Sequence, residues 1–114
     1  MAITSEIIGR LGGADVEVIP VEGAASGRTG SSTVIATIDV PAGETWLVAA
    51  IGQVTPASTS LPPRLQLGDE VSTEAPRGTN GLATTATESI SLSIRRATAS
   101  GTDTFTGHVY TVKM

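Results

Sequence analysis

Residues 32–54, STVIATIDVPAGETWLVAAIGQV, carry the reading that decides the fold. Val34, Ala36, Ile38 and Val40 alternate with Thr33, Ile35, Thr37 and Asp39, the period of a β-strand with one apolar and one mixed face. Val40-Pro41-Ala42-Gly43 suits a type I turn, with Pro presetting φ at the second position and Gly closing the turn. The segment beyond it is apolar on both faces, Trp46, Val48, Ala50 and Val54 on one and Leu47, Ala49 and Ile51 on the other. The stretch therefore reads as two strands joined by a tight turn. The second is covered on both sides, as in the middle of a sandwich or at a contact with another subunit.

Working outward, residues 15–22 (DVEVIPVE) alternate until Pro20, which cannot donate to a ladder. That predicts an edge strand, or one ending near Ile19. Residues 23–31 (GAASGRTGS) read as a flexible loop; they lack the GxxxxGK[ST] pattern of a phosphate loop. Downstream, residues 55–63 (TPASTSLPP) form a loop and Arg64-Leu65-Gln66-Leu67 a short strand. Residues 68–87, with Asn80-Gly81, read as a long irregular stretch. Ile90, Leu92 and Ile94 alternate cleanly with Ser89, Ser91, Ser93 and Arg95, and residues 104–113 (TFTGHVYTVK) supply the last strand. Several short strands with regular turn signals predict an all-β fold, a small antiparallel β-sandwich of jelly-roll or Ig-like type, as one domain over residues 14–114.

Residues 1–13 differ. Ile3, Ile7, Ile8 and Leu11 fall close to one helical face, Thr4 or Ser5 can cap its start, and Gly12-Gly13 would end it. So short a helix is marginal in water. The segment is expected to be a helical or extended arm that docks, either on its own sandwich or on a neighbouring subunit.

The totals bound the function. With 114 residues and three aromatics, Trp46, Phe105 and Tyr110, the core must come mainly from Val, Ile, Leu and Ala. No cysteine is present, so disulfides, thiolate metal sites and a cysteine nucleophile are excluded. A formal charge of −4 gives no electrostatic reason to seek nucleic acid or an anionic membrane. No apolar run approaches the roughly 20 residues that span a bilayer, and no basic region followed by an apolar segment marks a secretory signal.

No catalytic, cofactor or metal residue stands out. His108 is the only histidine and has no second ligand or nucleophile at a telling spacing. Asp69, Glu70 and Glu74 are the densest acids, but the sequence around them does not match a calcium loop and reads as a solvated loop. Arg95 and Arg96 would point to opposite faces of a strand and so make no basic patch, salt bridging being their expected use. Trp46 reads as a core anchor, with an interface position for Trp46 and Leu47 as the alternative.

Val40-Pro41-Ala42-Gly43-Glu44-Thr45-Trp46-Leu47-Val48, with Ser89-Ile90-Ser91-Leu92-Ser93-Ile94 and Gly107-His108-Val109-Tyr110, resembles small β-sandwich virion proteins of tailed bacteriophages and tailed archaeal viruses. Many of these carry a V-P-A-G-x-T-(aromatic)-x-V hairpin and finish on a G-x-x strand; the resemblance covers about residues 32–112. It implies a structural protein of the virion surface, made in the host cytoplasm. Capsid decoration (cementing) leads, with a tail or fibre component or a receptor- or carbohydrate-binding module as the alternative. The implied partners are the major capsid protein or other virion subunits and further copies of the chain, a trimer being favoured. The implied interface residues are Ile3, Ile7, Ile8, Leu11, Trp46 and Leu47. The chain lacks the aromatic-rich loop of fibre-tip proteins, and its three aromatics offer little for stacking on sugars.

Overall fold

The structure is a computed structural model that describes residues 16–114. The expected arm, with Ile3, Ile7, Ile8 and Leu11, lies outside the described residues. Eight strands follow in order: β1 (Val16–Ala25), β2 (Ser32–Ile38), β3 (Trp46–Thr55), β4 (Arg64–Leu67), β5 (Val71–Glu74), β6 (Gly78–Ala86), β7 (Ile90–Arg95) and β8 (Asp103–Lys113). They form two four-stranded sheets, ordered β1-β8-β3-β6 and β2-β7-β4-β5, and every pairing is antiparallel. The expected all-β architecture of two antiparallel sheets is the observed one. No helix occurs among the described residues.

The inner faces meet in one core. Val21 and Ala25 from β1, Val48, Ala50 and Val54 from β3, Leu65 and Leu67 from β4, Leu92 and Ile94 from β7, and Phe105 and Val109 from β8 are all buried. Glycines on the first sheet make room for the larger side chains of this core. A Cβ on Gly52 would sit 2.5 Å from Cζ of Phe105, so the ring packs directly on backbone. A Cβ on Gly23 would collide with Cβ of Ile35 at 2.6 Å, so this side chain of the second sheet seats in the gap that the missing side chain leaves.

Ile35 explains one departure from the sequence reading. Strict alternation puts Val34 inward, yet Val34 is 58% exposed. The register of β2 on β7 shifts between Val34 and Ala36, a bulge that turns Ile35 against the core and reverses the phase of what precedes it. The supposed hairpin is a second correction. β2 pairs with β7 and β3 with β6 and β8, so residues 39–45 carry the chain from one sheet to the other, about 10 Å away. Their turn is one residue later than expected: the Glu44 amide donates to the Pro41 carbonyl at 3.1 Å, and Gly43 has φ 83°. Positive φ at the third position makes this a type II turn, with Pro41 first and not second.

Two further expectations fail for one physical reason, that a ladder can hold a strand with little apolar content. β1 passes through Pro20 and Gly23 to Ala25, so residues 23–25 are strand and not loop. Among the described residues it is an edge, paired only with β8, and an edge strand tolerates a residue that cannot donate outward. The stretch 68–87 is likewise not irregular: it holds β5 and β6. β6 buries little beyond Leu82 and Ala86 but pairs with β3 from Val54↔Gly78 to Trp46↔Ala86. Asn80 lies within the strand, its amide donating to the carbonyls of Pro76 at 2.8 Å and Gly78 at 3.1 Å, and so fixes the entry to β6 where a turn was expected.

Candidate functional site

The alternation that fills the core also decides what each sheet shows outside. On the first sheet, register places outward side chains in rows across β1, β8, β3 and β6. The rows are Val16-Val112-Leu47-Thr85, Val18-Tyr110-Ala49-Ala83, Pro20-His108-Ile51-Gly81 and Glu22-Thr106-Gln53-Thr79. Three of the four are predominantly apolar. Val18 is 47% exposed, Leu47, Ala49, Ile51 and Tyr110 are half-buried, and Val112 is buried among its neighbours. On the second sheet the rows across β2, β7, β4 and β5 are Ser32-Arg95-Arg64-Glu74 and Val34-Ser93-Gln66-Ser72, followed by Thr37-Ser91 on β2 and β7. Hydroxyls and charges dominate there, and Thr37 and Ser91 share a hydrogen bond of 3.4 Å.

Leu47 thus lies on the apolar outer face, as its place in a doubly apolar strand implies. Trp46 is half-buried against the core, and its Nε1 donates to Oε1 of Glu44 at 3.0 Å. The same carboxylate lies 3.5 Å from Nζ of Lys113. Trp46 and Leu47 are therefore neighbours in sequence that serve opposite faces. The structure adds Val18, Tyr110 and Ala83 to Leu47; the sequence could not supply these companions, because they meet only through register.

A hollow of about 750 Å³ opens at the glycine end of this face, lined by Pro20, Glu22, Ile51, Gln53, Gly107 and His108 among others. His108 is exposed, its ring 6.0 Å from that of Tyr110 and tilted by 42°. Gln53 accepts from the Thr79 hydroxyl at 3.3 Å. The hollow offers an imidazole, an amide, hydroxyls and one carboxylate, with no serine or cysteine nucleophile among its residues.

Of the acids, Asp69 and Glu70 sit exposed in the β4–β5 turn and Glu74 at the end of β5. Gln66 Nε2 donates to the Asp69 carbonyl at 3.2 Å. No group of three His, Cys, Asp or Glu among the described residues is arranged to hold a metal ion.

The two arginines part as strand geometry requires. Arg95 is exposed, whereas Arg96 is buried between the sheets beside Asp103, both side chains fully shielded. Arg96 Nη1 donates to the Ala25 carbonyl and lies 3.4 Å from Oδ2 of Asp103, while Nε and Nη2 donate to the carbonyls of Thr98 and Ser100. Asp103 Oδ1 accepts from the Ala57 amide at 2.7 Å, and Oδ2 has only the guanidinium's charge as partner. The pair ties the β7–β8 connection to the end of β1 and to the loop after β3. It is enclosed, so its chemistry is structural.

What fold and site define together is an all-β sandwich with one polar and one apolar outer face, and no assembled catalytic constellation among the described residues. Comparison with known proteins finds no family, no curated protein and no solved structure that matches this chain.

Proposed function

We propose that this chain is a virion structural protein of a tailed virus, a capsid decoration (cement) subunit that binds the outer head shell and reinforces it without catalysing a reaction. The observation that carries the reading is the apolar outer face of the first sheet on a chain of net charge −4, a surface suited to assembly and poorly suited to catalysis. The resemblance of the segments around Val40–Val48, Ser89–Ile94 and Gly107–Tyr110 supplies the virion context. The strand order supports a jelly-roll as the particular sandwich: β1 pairs with β8, β2 with β7, β3 with β6 and β4 with β5, the nesting expected when one long antiparallel ribbon is rolled into two sheets.

On this reading Ile3, Ile7, Ile8 and Leu11 anchor the subunit on a neighbouring molecule of the shell. Burying four such side chains contributes on the order of 1.5–3 kcal/mol each before ordering costs, ample for a lattice on which many copies bind together. The test uses heads of the encoding virus that lack this protein. Purified chain should sediment with them and raise their resistance to heat. A variant without residues 1–12 should stay folded and remain in the supernatant. Failure of the intact chain to bind such heads would overturn the reading.

A saccharide-binding module is the second reading, favoured by the hollow whose lining brings together the rings of Tyr110 and His108 and the hydrogen-bonding groups of Gln53 and Thr79. Binding of neutral glycans that Tyr110→Ala abolishes would select it.

A further inference from the structure

We infer that the outer face of the β1-β8-β3-β6 sheet is where copies of this chain meet one another. The inference rests on the reading of the chain as an assembling structural subunit and names the surface and the occupant, a second copy of the same chain.

Charge is the first argument. A contact between identical molecules sets a patch against itself or against its own continuation, so every charge in it risks meeting its own sign. The chain is acidic and its molecules repel one another at a distance. The surface best suited to such a contact is therefore the one with the fewest charges of either sign. Among the outward positions of the first sheet Glu22 is the only acid, and it stands in the last row, away from the centre at Ala49 and Tyr110. On the second sheet Glu74, Arg64 and Arg95 share one row. Depletion of charge around an apolar centre containing a tyrosine is also the composition of an interface core.

Area is the second. Four strands spaced about 4.8 Å apart, each about nine or ten residues at about 3.3 Å per residue, give the face about 570–630 Å² in projection. Two such faces bury at most about 1,140–1,260 Å² together, the lower edge of what a stable specific contact uses. Small residues keep the centre of the face low, since Ala49 and Ala83 raise no bulk between the larger Val18, Leu47 and Tyr110, and the hollow beside His108 lies toward one end. The doubly apolar β3 then has both its sides explained, the core on one and another copy on the other.

The test is the solution mass of the full chain and two variants by analytical ultracentrifugation. Wild type should be oligomeric at micromolar concentration. Ala49→Glu should dissociate at least about tenfold more readily with an unchanged β spectrum, because it sets like charges in the centre. Ser93→Glu, the same change on the other outer face, should associate as wild type does. Should Ala49→Glu not fold, single cysteines decide, since the chain has none of its own. A short bis-maleimide should link copies carrying Ala49→Cys and not those carrying Ser93→Cys. A monomeric wild type overturns the inference, as does an Ala49→Glu oligomer of wild-type strength. A wild type that associates only once residues 1–12 are removed also overturns it, because the chain's own N-terminal segment is then the occupant. Assembly through this face without binding to heads would leave the inference standing and refute the cement role; binding to heads as a monomer would do the reverse.

Discussion

Ser91 and Ser93 on the outside of β7 and Leu47, Ala49 and Ile51 on the outside of β3 occupy comparable places, each on an inner strand of its sheet. They have opposite chemistry. The serines belong to a sheet of short strands, four residues each in β4 and β5, whose outer surface is hydroxyl-rich and charged, as an antiparallel sheet facing water should be. The aliphatics belong to a sheet whose strands run nine to eleven residues and whose outer surface is largely apolar. Both sheets donate their inner faces to one core, so folding alone does not require the difference. The second apolar surface therefore points to a requirement beyond the fold.

That comparison can be broken most severely where the sheets are fastened together. Asp103→Ala removes the acid that faces Arg96 in a fully shielded site and leaves a buried guanidinium without its counter-charge. A loss of about 3–5 kcal/mol is expected, read as a lower urea midpoint. A shift below a quarter of that would mean that the carbonyls of Ala25, Thr98 and Ser100 hold Arg96 without help.

A smaller effect should follow at the place where the second sheet enters the first. Gly23→Ala puts a Cβ where Ile35 sits, and overpacking of this kind costs about 1–3 kcal/mol. Ile35→Ala removes the Cγ2 that comes nearest and should relieve part of the strain, so the double variant should be more stable than the sum of the single losses predicts. Additive losses in thermal melts would show that the two residues do not press on one another.

The least effect belongs to the rim. Lys113→Ala removes an ion pair with Glu44 that is open to water on the lysine side, and the change should stay within about 1 kcal/mol. A greater loss would mean that Lys113 helps to hold Trp46 through the shared carboxylate, which fluorescence of the single tryptophan would report.

Much of this architecture was legible because alternation is a local signal. β4, β7 and β8 were readable to within a residue, since Leu65/Leu67, Ile90/Leu92/Ile94 and Phe105/Val109 repeat every second or fourth position. β6 was not, because Gly78, Asn80 and Thr84 carry no apolar signal at the positions a strand would use, and its ladder to β3 is non-local. Sheet membership was illegible for the same reason: a turn of residues 39–45 looks alike whether it closes a hairpin or crosses a sandwich. Of the candidate interface, Leu47 could be singled out, while Val18 and Tyr110 beside it depend on a register no single sequence states. The buried arginine had a visible cue. Ile90, Leu92 and Ile94 set an inward phase on which Arg96 is the next member, and an inward arginine needs an acid; Asp103 precedes the inward Phe105 by two residues.

Among the described residues β1 has one partner, β8, from which it is separated in the chain by all the other strands. From Val16↔Val112 to Ala25↔Asp103, every rung of that ladder waits for residues 103–112 to leave the ribosome. Until then the first strand has nothing to pair with, and closing so long a loop makes this pairing slow compared with the formation of neighbouring turns. A product that stops short of Asp103 lacks β8 altogether. It opens the β1-β8-β3-β6 sheet down its middle, between β1 and β3, and removes Phe105 and Val109 from the core. The topology thus sets an order in biosynthesis: a nascent chain without β8 cannot complete the sheet whose outer face is apolar.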